Sequence, residues 1–470
     1  MRKFVVLVIT VGMVLVPAAA SASAHARRRR CVVPRLAGLT LTMARTRLAH
    51  AGCRAGIIHR PKAAAGDLVV GRQAPRAGRK TRGGSKVTIW LEAKHTSSAN
   101  APTPQTLISQ GLPAYSVGTT ENSASNMVDS RYDFFKCTPT CAGIIDLSRI
   151  SPAKRAGAAV TWWNPTTDFD ATDDGFDGGP ANLPTNFTID GNTAAGGGTP
   201  PTTGWTTLQT VTGNKFNAGQ YAFNLSAYNW LRMNVTASSG SGGNTDAAWH
   251  LDVSACSSTC TKPTDTWLFL GDSITSMSLG VQPTSPPNFN QTVHTAASDF
   301  YPAGIDGGFP AWTTGNFLAT DGTTGTSFIN ELMDDFSASH FVTLALGTND
   351  IDQKVPTSTF LSNMQTLVRD VIAQGRVPVV PTIPWASPIC GYTQLATADS
   401  PAKAGTANYD IEHDVWTMPG VVAGPDLWTF FDHNQSLINL ADCPHPTRPA
   451  GTTALRKEWA DWALTDIYGR

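Results

Sequence analysis

Charge is what this sequence is shortest of. Asp, Glu, Lys and Arg make up 15% of its 470 residues, against roughly 25% in ordinary soluble domains. Thirty-five basic and thirty-five acidic side chains cancel, so no overall charge draws the whole chain to nucleic acid. Long apolar runs are missing too. The run Phe4–Val16 is short of the roughly 20 residues a bilayer span needs, and nothing later reaches that length, which argues against a membrane span. No lipobox precedes Cys31, which follows Arg27–Arg30, so a lipid anchor is not expected either. Hydrophobic residues, at 41%, are too many for a disordered chain.

The zero balance hides a split. From His25 to Lys94 there are seventeen Lys and Arg against two acids, Asp67 and Glu92; from residue 98 onward there are sixteen against thirty-three. Ahead of both, Arg2-Lys3, the apolar Phe4–Val16 and Ala22-Ser23-Ala24 have the layout of a cleavable signal peptide over residues 1–24. The expected location is secreted, with retention at a cell wall. An oxidising compartment makes disulfides the expected use of the eight cysteines. The simplest pairing joins Cys31 to Cys53 and Cys390 to Cys443. Cys137, Cys141, Cys256 and Cys260 form two CxxxC pairs, which can close within each pair or across the two; zinc binding by these four thiols is the minor alternative.

Within the basic segment, Leu41, Ala44, Leu48 and Ala51 recur at helical spacing, and Val69-Val70 and Val87–Leu91 have strand character. Gln73-Ala74-Pro75 and Gly83-Gly84 mark turns. The run VPRLAGLTLTMARTRLAHAG followed by GSKVTIWL resembles a PASTA domain over residues 31–94, a small α+β module of one helix and a three-stranded sheet. The resemblance implies a partner in the bacterial cell wall, peptidoglycan in particular. The arginines suit an anionic wall polymer, and without an interleaved aromatic platform no nucleic acid is expected. A solvated basic spacer is the alternative. The Ser/Ala/Pro-rich residues 95–105 are expected to be a linker.

Residues 106–260 carry short strand-like runs between Gly, Asn, Thr and Pro clusters, at 142–148, 158–164, 186–190, 204–212, 220–226 and 230–237. That spacing predicts an all-β sandwich. The order of ASNMVDSRYDFF, IIDLS, FTIDGN with GWTTLQTVTGN, and WLRMNVTA resembles a discoidin-like, galactose-binding-type jelly roll, which implies carbohydrate binding. Trp162 and Trp163 are candidates to stack on sugar, with a place in the core as the alternative. Asp168, Asp170, Asp173, Asp174 and Asp177 gather oxygen ligands around Gly175, a candidate structural calcium loop whose spacing is not that of an EF-hand, against the stronger alternative of an acidic loop that binds nothing.

Residues 265–470 alternate strand and helix. Strand-like 266–270, 340–347 and 377–384 alternate with helix-like 327–336 and 358–376, and a helix at 453–467 closes the chain, which predicts a doubly wound parallel α/β sheet. Three motifs sit at strand ends or before the last helix: Gly271-Asp272-Ser273-Ile274-Thr275, Gly347-Thr348-Asn349-Asp350, and Asp442-Cys443-Pro444-His445-Pro446. A serine hydrolase needs a nucleophile, a base, an acid to orient the base and donors for the oxyanion. Asp and His three residues apart suit a turn that offers one imidazole nitrogen to the acid and the other to the serine. GDSIT is not the GxSxG elbow. Taken in order, the three motifs resemble the SGNH (GDSL) hydrolase family. The resemblance implies Ser273 as nucleophile, His445 as general base and Asp442 as its orienting acid, with the Ser273 N–H and the Asn349 amide at the oxyanion. Residues 307–318 (GGFPAWTTGNFL) depart from the family's second motif. They place Ala311 where the oxyanion glycine usually sits, with Gly308 as the fallback and Trp312 as a wall of the substrate pocket. A Cys390–Cys443 bond would pin the turn that carries the acid and base.

Asp432-His433 lacks the context of a catalytic pair and is expected at the surface; Asp410, Glu412, His413 and Asp414 are expected to open a helix rather than bind metal. The expected activity is that of a secreted serine esterase acting on acyl, foremost O-acetyl, esters of wall or other polysaccharide, with no cofactor required. Within that class the alternative is a lipase or short-chain carboxylesterase. Outside it, the alternative is a non-catalytic wall-binding adhesin or scaffold.

Overall fold

The computed structural model describes residues 30–470 apart from 35, 37, 38, 61–67, 76–78, 94–100, 130–133, 165–181, 215, 217, 240–244, 257–262, 280–287, 321, 323, 324, 337, 338, 388–402, 442 and 443. The expected signal peptide, the calcium loop, Asp442, Cys260, Cys390 and Cys443 therefore lie outside the described residues. The chain divides into two compact units, Met1–Lys94 and His95–Arg470. No helix among the described residues is long and apolar enough to cross a membrane.

In the first unit a helix, Leu41–His50, packs on a three-stranded sheet in the order Arg54–His59, Lys86–Ala93, Leu68–Ala74. The helix starts where the Thr40 hydroxyl accepts from the Met43 N–H, and it buries Ala44 and Leu48, two of the four residues at helical spacing. Val87, Ile89 and Leu91 alternate inward, so Trp90 sits on the opposite face. There its ring stacks on His59 at 4.8 Å and 7°, while the Arg72 guanidinium lies 4.7 Å from its centroid. Cys31 and Cys53 are bonded, as the simplest pairing expected.

The second unit opens with two antiparallel five-stranded sheets. One runs Ala218–Phe223, Ala158–Trp163, Ala247–Cys256, Gln105–Leu107, with Phe135–Cys137 also on Ala247–Cys256; the other runs Thr206–Val211, Pro184–Asn192, Trp230–Ser238, Cys141–Asp146, Ala114–Val117. They share one core, in which Val160, Trp162 and Leu251 of the first meet Phe187, Ile189, Leu231 and Met233 of the second. The first sheet begins at Gln105, the last residue of the expected linker. Cys137 and Cys141 pair within their own CxxxC, and Cys256 is also in a disulfide.

Of the two readings of Trp162 and Trp163, stacking on sugar or a place in the core, the structure gives the core. Trp162 is fully buried, edge-on to Phe187 at 5.1 Å. Trp163 is 4% exposed, stacked on His250, and part of the core of the neighbouring α/β region. The reason is position: both lie on a strand with a partner on either side, Ala218–Phe223 and Ala247–Cys256, and with covered faces.

Beyond the sandwich is a five-stranded parallel sheet in the order Ala303–Gly308, Thr266–Gly271, Phe341–Ala345, Val377–Val380, Val422–Ala423. Helices cover both faces, which is why Thr266–Gly271 reads as one unbroken apolar run. Trp267 and Phe269 pack with the helices Phe289–Ala296 and Ala450–Asp466, while Leu268 and Leu270 pack with Phe328–Asp335 and Thr357–Ala373. Each such side chain contributes about 1.5–3 kcal/mol by leaving water.

The sandwich and the α/β region are fused rather than tethered. Trp163, Phe216 and Ala218 belong to the α/β core, with Phe216 edge-on to Phe336 at 4.8 Å. Gln220 donates to the Tyr301 carbonyl at 3.0 Å, and the Gln105 N–H donates to the Asp299 carbonyl at 2.7 Å.

Candidate active site

The strand order puts the first strand of the parallel sheet, Thr266–Gly271, between the second, Ala303–Gly308, and the third, Phe341–Ala345. Successive connections therefore leave in opposite directions and open a crevice at the carboxyl ends, where α/β sites form. The three motifs converge on it. Ser273 follows the first strand, Ala311 the second, and Asn349 the third.

Ser273 opens a short helix, Ser273–Leu279, and is the half-buried residue of an otherwise buried segment. Its Oγ lies 2.7 Å from Nε2 of His445, a residue 172 positions away. The loop bearing His445 is fastened from both sides of the ring: the Asn439 N–H donates to the His445 carbonyl at 2.8 Å, the Thr447 N–H donates to the Leu437 carbonyl at 2.7 Å, and Ile438 pairs with Pro446. Asp442, the expected orienting acid, lies outside the described residues, so the structure describes a serine–histidine pair.

Asn349 sits in the short helix Thr348–Asp352, half-buried, its amide donating to the Trp312 carbonyl at 2.9 Å. A carboxamide nitrogen carries two N–H groups, which leaves a second for another acceptor. The turn into this helix requires Gly347, at φ 126°, where a Cβ would sit 2.3 Å from Ile383 Cδ1.

Ala311 has φ 63°, in the left-handed region that glycine enters at little cost. The departure from glycine is thus accommodated with the backbone still turned as a glycine would turn it. Gln353 fixes it by donating to the Ala311 carbonyl at 3.1 Å. Gly308 pairs with Gly271 inside the sheet, and a Cβ there would sit 2.2 Å from the Ser276 backbone nitrogen. It lets the serine helix approach the second strand. Trp312 packs in an aromatic group, 4.6 Å from Phe309 and 4.5 Å from Phe328, so its ring braces the loop of the second motif.

Two carboxyls in these motifs carry supporting roles that motif matching did not assign. Asp272 is fully buried and its Oδ1 accepts the Ile274 N–H at 2.9 Å. Loss of water pushes its pKa up to about 6, opposed by the hydrogen bonds to Ile274 and Thr348 and the nearness of His445. Asp350, raised by burial, accepts the Thr314 N–H at 3.0 Å and the Thr314 hydroxyl at 2.5 Å. It thereby satisfies the first turn of the helix Thr314–Leu318 and ties the second motif to the third. Their signal in the sequence was the acid inside each motif, read only as part of the pattern.

The lesser alternatives settle simply. Asp432 and His433 end the helix Leu427–His433, with His433 exposed. Asp410 ends the helix Ala407–Asp410, and Glu412, His413 and Asp414 lie in the helical turn Ile411–Val415 that continues it, so they do not open a helix as expected: Thr406, whose hydroxyl accepts from the Tyr409 N–H, is the cap that starts it. His413 stacks on Tyr409 at 3.8 Å and its Nδ1 lies 2.8 Å from the Tyr409 carbonyl oxygen. Among the described residues no group of three or more His, Cys, Asp or Glu is placed to hold a metal ion.

Residues 269–413 match the model of the GDSL-like lipase/acylhydrolase family. No curated protein sequence matches the chain. Among solved structures it is similar to the protein YXIM of Bacillus subtilis, at 13% identity and TM-score 0.37, over 88% of this chain and 99% of that one. It is also similar to a family two carbohydrate esterase from Cellvibrio japonicus, at 12% identity and TM-score 0.30, over 78% and 99%. An acetylxylan esterase from Geobacillus stearothermophilus follows at 16% identity and TM-score 0.31, over 43% and 94%. Likenesses this distant carry no substrate across to this chain.

Proposed function

We propose that the chain is a secreted serine esterase that removes acyl groups, foremost acetyl, from a polysaccharide, and that its basic first unit holds it at the bacterial wall. The observation that carries the esterase reading is the 2.7 Å contact between Ser273 Oγ and His445 Nε2 in a crevice lined by the three motifs. Ser273 attacks the ester carbonyl while His445 takes its proton at Nε2. The oxyanion forms beside the Ser273 N–H, the second Asn349 N–H and the Ala311 N–H. His445 then protonates the departing alcohol. Water, activated by the same nitrogen, releases the acid, and no cofactor enters. Asp442 serves to hold the imidazole.

The polysaccharide reading is supported by the fusion of a β-sandwich, read as a discoidin-like jelly roll, to the α/β region. The wall reading, with the first unit as a PASTA-like module, is supported by the surplus of arginine and lysine over acids in residues 25–94. The ladder His59, Trp90, Arg72 across one sheet face offers ring and cation together to an anionic glycan.

Turnover of 4-nitrophenyl acetate by the full chain and by Ser273→Ala tests the chemistry. Activity in the first and its loss in the second is expected; an inactive wild type or an active variant refutes it. Retention on purified cell walls with and without residues 25–94 tests the wall, and equal retention refutes that part.

A further inference from the structure

Next to the helix Thr348–Asp352, the oxyanion helix that carries Asn349, is a cavity of about 340 Å³, within the range of about 300–1,000 Å³ that small-molecule sites occupy. One wall runs from Asp350 through Lys354 to Thr357, beginning at the residue after Asn349; the other is Lys403 to Ala407. Lys354 and Lys403 are both exposed, and among the described residues neither has an ion-pair partner. Elsewhere in this acid-rich unit Lys136 is bridged to Glu121 and Asp246, and Lys457 to Asp461. The backbone is committed to the placement of Lys354, which has φ 58°, a conformation a lysine adopts only at a cost. That residue stops the oxyanion helix, its N–H donating to the Ile351 carbonyl at 3.1 Å. The single acid of the lining, Asp350, is 1% exposed and its two oxygens accept from Thr314, so its carboxyl is engaged there and forms no ion pair with either lysine. Ile351, Val355 and Phe360 give the cavity an apolar wall that suits the C–H face of a sugar ring.

We propose that this cavity is a subsite for a carboxylate-bearing sugar of the substrate, a uronic acid unit near the acylated one, held by Lys354 and Lys403. The inference rests on the polysaccharide esterase reading. It makes that reading narrower: acidic glycans are preferred over neutral ones. Two lysines with no ion-pair partner among the described residues, beside the oxyanion helix, favour a carboxylate over a neutral sugar.

The test is the ratio of kcat/KM on acetylated glucuronoxylan to that on acetylated glucomannan, for the full chain and for Lys354→Gln, Lys403→Gln and the double variant. Thermal midpoints establish that each variant folds. The double variant is expected to lower the acidic-over-neutral ratio about fivefold, the worth of two partly exposed ion pairs. Lys354→Glu is expected to lower it further, and salt at about 0.5 M to lower it in the wild type by screening. Hydrolysis of both glycans at a ratio unmoved by the variants overturns the subsite while leaving the esterase reading intact. Turnover of 4-nitrophenyl acetate with neither glycan attacked overturns the polysaccharide reading and the subsite with it.

Discussion

Adding one methyl group at Gly308 should damage catalysis without touching any catalytic atom. The Cβ of Gly308→Ala would lie 2.2 Å from the Ser276 backbone nitrogen, 2.7 Å from its Cα and 2.8 Å from its Cβ. Two of these three atoms are backbone, so no rotamer relieves the clash. The strand carrying Gly308 is held to Thr266–Gly271 along its length, which leaves the short helix Ser273–Leu279 to yield. Ordinary contact requires a shift of about 1 Å, enough to cost on the order of 10²-fold in rate when it misplaces a reacting group. Overpacking of this kind costs roughly 1–3 kcal/mol of stability. Gly198→Ala is the control, because a Cβ there meets nothing within 4 Å. The assay is kcat on 4-nitrophenyl acetate together with the urea midpoint. Gly308→Ala is expected to lose both, and Gly198→Ala neither. A Gly308→Ala enzyme with wild-type kcat and midpoint would refute the claim that close approach at this residue sets the position of Ser273.

Asn349→Ala should lower kcat by about 10²–10³-fold with little change in KM, as loss of an oxyanion donor does; a change confined to KM would show that the amide only binds substrate. Ala311→Val should cost about 1 kcal/mol or more in urea unfolding, because a β-branched side chain fits poorly at φ 63°. Asp265 is fully buried and its pKa is raised to about 7, chiefly by loss of water, although Tyr468 donates to it at 2.6 Å. A carboxyl raised in the folded state contributes most below its unfolded pKa of roughly 3.9, and that contribution is lost as pH rises through 7. Stability should therefore fall between about pH 4 and 7, and Asp265→Asn should flatten that fall; an equal slope in the variant would locate the effect elsewhere, Glu458 (raised to about 7) being next in line.

What was legible in the sequence was what depends on local pattern. The strand Thr266–Gly271 and the helices Thr357–Ala373 and Ala450–Asp466 announce themselves by apolar runs or helical periodicity. The strand Ala303–Gly308 does not, because four of its residues are Gly or Ala and its place is secured by pairing with Thr266–Gly271. The long strand Ala247–Cys256 was hidden in a similar way: His250, Asp252 and Ser254 are polar, yet buried between partners. At the site, Ser273, His445 and Asn349 could be named from motifs because their spacing within each motif is short. The work of Asp350 and Gly308 could not, since each acts on an element remote in sequence, Asp350 on Thr314 and Gly308 on Ser276. For Trp162 and Trp163 the sequence left sugar stacking and a place in the core both open, and the covered faces of their sheet decide for the core.

The most direct test of the central claim is peptide mapping of the full chain after reaction with a fluorophosphonate ester, which phosphonylates an activated serine. A single adduct on Ser273, formed in step with loss of 4-nitrophenyl acetate turnover and absent from His445→Ala, is the expected result. Loss of turnover with no adduct on Ser273, or an adduct that forms as fast without His445, would contradict it.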